Sequence, residues 1–156
     1  MVYVIDRREQ PTERLQRRME FLTPFERETV NSGDYTAKTM LPNGEWFYLP
    51  VVIERKMNLS EIAGNFCRER DRFRAEFNRA RERGIRLYIL IEDSSWESAY
   101  AGNYRSKMEP KSLIASLLTW SARYGCSILM CRSPDTASKL IRDILRYEMR
   151  EALQKL

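Results

Sequence analysis

The sequence predicts an α/β domain with a central mixed sheet flanked by helices, in the order β-α-β-β-α-β-α-β-α. Three observations carry that reading. Short apolar runs alternate with stretches of helical periodicity, the pattern of a sheet layered with helices. Two runs in the first third are joined through Asn43-Gly44, the strongest short hairpin signal. At 156 residues the chain has room for one compact domain, with a core that buries roughly two-thirds of the unfolded surface.

The elements follow in order. Residues 2–5 are apolar and β-branched, a first strand, with Asp6 directly after it. Pro11-Thr12-Glu13 opens a helix to about Leu22, with Leu15, Met19 and Leu22 on one side, and Thr23-Pro24 stops it. Ser32-Gly33 is a turn. Residues 34–40 form the second strand, and residues 46–55 return from the Asn-Gly turn, which sets Asp34 and Glu54 at the open end of one hairpin. Asn58 and Glu61 have the spacing of a capping box, and a long helix runs on to Gly84. Leu59, Ile62, Phe66, Phe73, Phe77 and Ala80 make its core stripe, with Arg68, Arg72, Arg79 and Arg83 on one flank. Residues 87–91 are continuously apolar, a strand covered on both faces. A helix over 111–124 and a strand over 127–131 come next. Ser133-Pro134 caps a final helix, apolar at Leu140, Ile141, Ile144, Leu145, Met149 and Leu153. No repeat or linker interrupts the chain, so residues 1–156 read as a single domain.

Charge and composition narrow the function. Lys and Arg number 27 against 22 Asp and Glu, a net +5, which favours anionic partners, nucleic acid first. No apolar run approaches the ~18–20 residues of a membrane span. Cys67, Cys126 and Cys131 are odd in number and sit in apolar or helical contexts, which argues against a disulfide framework. The chain reads as cytoplasmic, or nuclear if its source is a eukaryote. Histidine is absent, which removes Ser-His-Asp and Cys-His hydrolases, His-based zinc sites and imidazole bases. Chemistry is left to carboxylates, Lys, Arg, Tyr or a bound metal.

Gly33-Asp34, nineteen residues, then Glu54-Arg55-Lys56 is the sharpest signal. An Asp and a Glu at adjacent strand ends can share one hard cation through their oxygens. Glu54 and Lys56, two apart on a strand, point to one face, where such a Lys would orient a water and neutralise a phosphate. The competing reading is an ordinary E-x-K on a solvated edge strand. Residues 65–86 hold eight Arg against four acids. Arg68, Arg72, Arg79 and Arg83 are either phosphate contacts or a solvated face laced by pairs such as Arg72–Glu76. Trp46, Phe47 and Tyr48 read as core or hairpin packing, with base stacking as the alternative.

Gly33-Asp34-Tyr35 with Glu54-Arg55-Lys56 resembles the GD…ERK signature of XPF-type structure-specific nucleases, a branch of the PD-(D/E)XK restriction-endonuclease-like superfamily. Asp6-Arg7-Arg8-Glu9 is similar to that family's D-x-R-E element. Residues 72–92, ending in Ile91-Glu92, resemble its helix and following strand, and Cys131-Arg132-Ser133-Pro134 its C-x-S-P stretch. The motifs occur in order over essentially the whole chain. Two departures stand out. The signature continues ERK-x3-D, whereas here Ser60 holds that place and Glu61 comes one later, as does Gly64. Glu61 is either the displaced motif acid or only the partner of Asn58. The tandem helix-hairpin-helix domain usual in many members has no counterpart in these residues.

The resemblance implies a restriction-endonuclease-like fold. It implies Asp34 and Glu54 as metal ligands, Asp6 as a further ligand or water-mediated contact, Lys56 positioning water, and Arg55 and Glu9 shaping the site. An all-oxygen donor set suits Mg2+ or Mn2+. The expected activity is metal-dependent cleavage of branched, flap or junction DNA, with the last helices forming a homodimer interface. Two alternatives are a non-catalytic DNA-binding or scaffolding subunit of the same family, and a PD-(D/E)XK nuclease with another DNA preference.

Overall fold

A computed structural model describes residues 1–156 as one mixed sheet between two layers of helices. The elements are β1 (Val2–Asp6), α1 (Glu13–Phe21), β2 (Phe25–Glu28), β3 (Tyr35–Met40), β4 (Trp46–Tyr48), β5 (Val51–Lys56), α2 (Leu59–Arg68), α3 (Arg70–Glu82), β6 (Arg86–Ile91), α4 (Trp96–Ala101), α5 (Pro110–Tyr124), β7 (Ser127–Met130) and α6 (Pro134–Gln154). The sheet order is β2-β1-β3-β5-β6-β7, with β4 paired to β3. β3 runs antiparallel to β1 and β5, while β1–β2, β5–β6 and β6–β7 are parallel.

Both faces are covered. Val4, Val52, Leu87 and Ile89 face α2, α3 and α5, where Phe66, Phe73, Phe77 and Trp120 interlock at centroid distances of 4.8 to 6.5 Å. Tyr3, Ile5, Ile53 and Leu90 face α1 and α6, meeting Leu15, Ala137, Ile141 and Leu145. Asn58 and Ser133 cap their helices as foreseen from sequence, and Thr12 does the same for α1: each accepts an N–H from the first turn of the helix it precedes. No helix is long and apolar enough to cross a membrane.

The α/β class and mixed sheet match the expectation; the element order needs four corrections. The return strand of the hairpin is two strands, because Pro50 has no N–H to give the ladder and the chain bends at Leu49-Pro50. The long helix is likewise two, divided at Glu69, whose backbone leaves helical geometry (φ −123°, ψ 25°). β2, with the charged sequence Phe-Glu-Arg-Glu, carries no apolar pattern and is ordered by its parallel pairing to β1. α4 is a short helix capped by Ser95 and closed by Gly102.

Two smaller expectations change as well. Trp46 and Tyr48 are exposed; their rings flank the Lys38 ammonium at 4.7 and 5.5 Å, and only Phe47 leans on the core. In α6, Leu145 is fully buried and Leu140 and Ile144 pack on the same cluster, so most of that apolar side covers its own sheet.

Candidate active site

The carboxyl ends of β1, β5 and β6 and the amino end of β3 meet at one edge of the sheet. The Asp34 N–H donates to the Ile53 carbonyl at 2.9 Å, and the Arg55 N–H donates to Asp34 Oδ2 at 2.8 Å. The hairpin mouth thus holds Asp34 against the Glu54 segment, as the turn chemistry predicts. Gly33 makes the approach possible. Its φ is +139°, and a Cβ there would lie 2.4 Å from Val52 Cγ1 and 3.5 Å from Glu54 Oε2. The glycine of the Gly-Asp pair is therefore required by the contact between β3 and β5.

The solvated-edge reading of E-x-K fails. β5 lies between β3 and β6, and Glu54 and Lys56 are buried at 9% and 6% exposure. Lys56 Nζ sits 2.8 Å from Glu54 Oε1 and 5.1 Å from the Phe73 ring centre. Burial opposes the Lys56 charge, yet the Glu54 carboxylate outweighs it and holds the ammonium's pKa above its ordinary value. Burial, then Glu54, then Glu9 push the Asp34 carboxyl well above the usual range. The mouth thus sets acidic groups close enough to oppose one another's charge.

Period-two alternation sends Arg55 to the opposite face. There Arg55 Nε and Nη2 donate to the two oxygens of Glu92 at 2.7 and 2.9 Å, and Arg18 Nη2 donates to Glu92 Oε1 at 2.7 Å. Arg18 Nη1 donates to the Tyr35 hydroxyl at 3.1 Å, which donates in turn to Glu9 Oε2 at 2.7 Å. Glu9 and Arg55 are thereby tied to one buried scaffold. They border a cavity of about 620 Å³ with Arg18, Met57 and Glu61. Glu61 is the capping partner of Asn58, to which its N–H donates, and its Oε1 lies 4.0 Å from Lys56 Nζ.

Asp6, which the resemblance implies as a further ligand or a water-mediated contact, has its carboxylate engaged by neighbouring groups. Its Oδ1 accepts from the Arg8 N–H and Nε, and its Oδ2 from Arg8 Nη2 and the Val30 N–H. Both oxygens are occupied, so the structure does not bring Asp6 to the Asp34–Glu54 pair as a donor. No three acidic groups converge into a metal-binding cluster. Arg68 lies on α2, beyond the break from Arg72 and Arg79 on α3 and from Arg83 at its C-cap; all four residues are exposed. Arg72 forms no pair with Glu76, whereas Arg74 meets Asp71 at 3.7 Å.

Sequence reasoning missed Glu76, Arg18 and the role of Glu92. Glu76 faces the site from α3; burial, then Glu54, raise its pKa to about 7, while Lys56, Arg79 and Arg8 pull it down. Its position between Phe73 and Phe77 on the buried stripe was the available signal. Arg18 gave none: a basic residue on an amphipathic helix reads as solvated.

No curated protein matches the chain by sequence. In fold it is similar to XPF from Aeropyrum pernix, with a TM-score of 0.72 at 18% identity over 100% of this chain and 65% of that one. XPF from Aeropyrum pernix in complex with DNA matches with a TM-score of 0.68 at 17% identity, covering 96% of this chain and 66% of that one. The chain therefore spans less than two-thirds of the length of those XPF chains. The family model of the ERCC4 domain matches residues 5–144, and the chain belongs to that family, with an XPF-type nuclease domain as its fold.

Proposed function

We propose that the chain is a divalent-metal-dependent DNA endonuclease that hydrolyses phosphodiester bonds at branched, flap or junction DNA. One observation carries the reading: Asp34 and Glu54 are held together at the hairpin mouth with the buried Lys56 ammonium on Glu54. A scaffold gains nothing from crowding two acids beside a lysine, and a cation site does.

The donor set fits Mg2+ or Mn2+. It is all oxygen, and Mg2+ binds through one or two carboxylates while keeping its waters, so a third acid is not required. Asp34 and Glu54 would hold the ion, which when bound supplies electrostatic stabilisation of charge at the scissile phosphate. Lys56 orients the attacking water and neutralises phosphate charge. Arg55, fixed through Nε and Nη2, keeps Nη1 for the substrate. Glu9 is steered by Tyr35, and Asp6 acts at one remove, by placing Arg8. Arg72, Arg79 and Arg83 offer phosphate contacts along α3.

The reading includes a two-fold homodimer through α5 and α6. Leu118, Tyr147 and Leu153 remain exposed there, and DNA interfaces of about 1,000–2,500 Å² are supplied more readily by two copies than by one. The test is cleavage of labelled flap, fork, junction and linear duplex DNA with Mg2+, Mn2+ or chelator. Metal-dependent cutting of the branched substrates is expected. Binding without cutting under every condition would overturn the reading in favour of a scaffold.

A further inference from the structure

Two adjoining cavities lie between α2 and the loop of residues 102–107, and the mechanism above uses neither. One, of about 630 Å³, is bordered by Asn58, Ser60, Asp93, Asn103 and Arg105. The other, of about 430 Å³, is bordered by Ser60, Gly64, Cys67, Arg68, Arg105 and Lys107. They share Ser60 and Arg105, and so form one groove.

Its cations are free. Arg68, Arg105 and Lys107 join no ion pair, whereas Arg8, Arg18 and Arg55 in the active site are each held by a carboxylate. Asp93 borders only the far cavity, and Glu61 on α2 is engaged by the Met57 N–H and by Lys56. The basic end of the groove therefore holds three positive charges with no acid among its lining residues.

The groove is also built. Ser60 Oγ accepts the Arg105 N–H at 2.8 Å, which ties the loop to α2. Tyr104 donates to the Met108 carbonyl at 2.7 Å, and Ser106 Oγ accepts the Met108 N–H at 3.1 Å, which fold the loop on itself. Gly64 leaves room for Arg68 to lie along the helix, since a Cβ there would stand 3.1 Å from Arg68 Nη2. α2 starts directly after the catalytic strand, so Arg68 stands about 14 Å along the helix at 1.5 Å per residue.

We propose that this groove is a second DNA contact, in which Arg68, Arg105 and Lys107 hold backbone phosphates away from the scissile bond. The proposal rests on the nuclease reading for its distance to the cut, and on the groove alone for its contact with the backbone.

Cys67 reports occupancy. It borders the groove and is exposed, whereas Cys126 and Cys131 are buried and their thiols pushed up to about 11 by that burial. The experiment compares the chain with its Arg68→Ala/Arg105→Ala/Lys107→Ala variant, both checked by circular dichroism. Fork DNA binding is followed against salt, and Cys67 alkylation by iodoacetamide is followed with and without that DNA. Bound DNA should protect Cys67, and the variant should lose the protection and up to about 2.7 of the log–log salt slope, at about 0.9 per phosphate contact. An unchanged slope with Cys67 equally reactive in the DNA complex would overturn the proposal. Equal protection by inorganic phosphate at matched phosphate concentration would also overturn it, leaving an anion pocket only. Cleavage is scored separately: protection without cutting sinks the nuclease reading and spares the groove, and cutting without protection does the reverse.

Discussion

Glu92 balances two guanidinium groups at once: Arg55 meets both of its oxygens at 2.7 and 2.9 Å, and Arg18 shares Oε1 at 2.7 Å. Glu92 and Arg18 are each 1% exposed in their side chains, so neither charge has water as an alternative partner. Removing one member of such a network strands the rest. Glu92→Gln should cost about 3–5 kcal/mol of unfolding free energy. Arg18→Met, which leaves the two-bond Arg55–Glu92 pair in place, should cost less. Urea unfolding of the three proteins measures this, and equal midpoints for wild type and Glu92→Gln would show that the network contributes nothing.

Asp34→Asn, Glu54→Gln and Lys56→Ala should each lower cleavage by ~10²–10³, the scale of one well-placed electrostatic group. Stability should separate two of them. Asp34→Asn removes a desolvated charge beside Glu54 and keeps an oxygen for the Arg55 N–H, so its melting temperature without metal should rise. Glu54→Gln breaks the pair with Lys56 and should melt no higher than wild type. Turnover on fork DNA and thermal scans in chelator test the two halves independently.

The hairpin mouth was legible because its geometry is local: an Asn-Gly turn and a period of two bring Asp34 and Glu54 together and put Glu54 and Lys56 on one face. What lay beyond reach depends on other elements. Arg18 acquires its buried place only when α1 is brought to Tyr35 on β3 and to Glu92 just past β6. β2 has no pattern of its own and borrows its hydrogen bonds from β1. Asp6 was assigned from a motif, while its oxygens had nearer claimants in Arg8 and Val30.

That occupation yields a pH prediction. Burial acts to raise the Asp6 pKa, but its hydrogen bonds from Arg8 and from the Val30 N–H outweigh it, and the value in the fold is lowered. A lowered carboxylate contributes stability above its ordinary pKa of about 3.9, and that contribution is lost as pH falls through the folded value. Asp6→Asn should therefore cost about 1–3 kcal/mol at neutral pH. The gap to wild type should close on acidification below about pH 4. A gap independent of pH would show that shape, and not charge, matters there.

Reversing Arg72 and Arg79 together should weaken DNA binding and flatten its salt dependence by about 1.8, two contacts at about 0.9 each. Fluorescence anisotropy against salt provides the slope. Unchanged affinity and slope would make the α3 face a solvated surface.

Light scattering at micromolar concentration should show a species of twice the 18.6 kDa chain mass. Leu118→Glu with Tyr147→Glu should return it to a folded monomer, because both side chains are exposed in the single chain. Leu145 is unsuitable for this test, being fully buried in the domain's own core. A wild type found only at 18.6 kDa would contradict the dimer.

The division at Glu69 makes this stretch a seam where chain length can vary. One residue added to an uninterrupted helix turns everything beyond it by about 100°. Here the break confines such a turn to α2, so Phe73 and Phe77 keep their seats against Trp120 while Phe66, on α2, must reseat against them. The one-residue lag of Glu61 and Gly64 behind the ERK-x3-D spacing is a change of that kind. A combinatorial library aimed at new substrates thus belongs between Asn58 and Glu69, varying the acid near Lys56 and the cations along α2 while the buried Leu59, Ile62, Ala63 and Phe66 are held fixed.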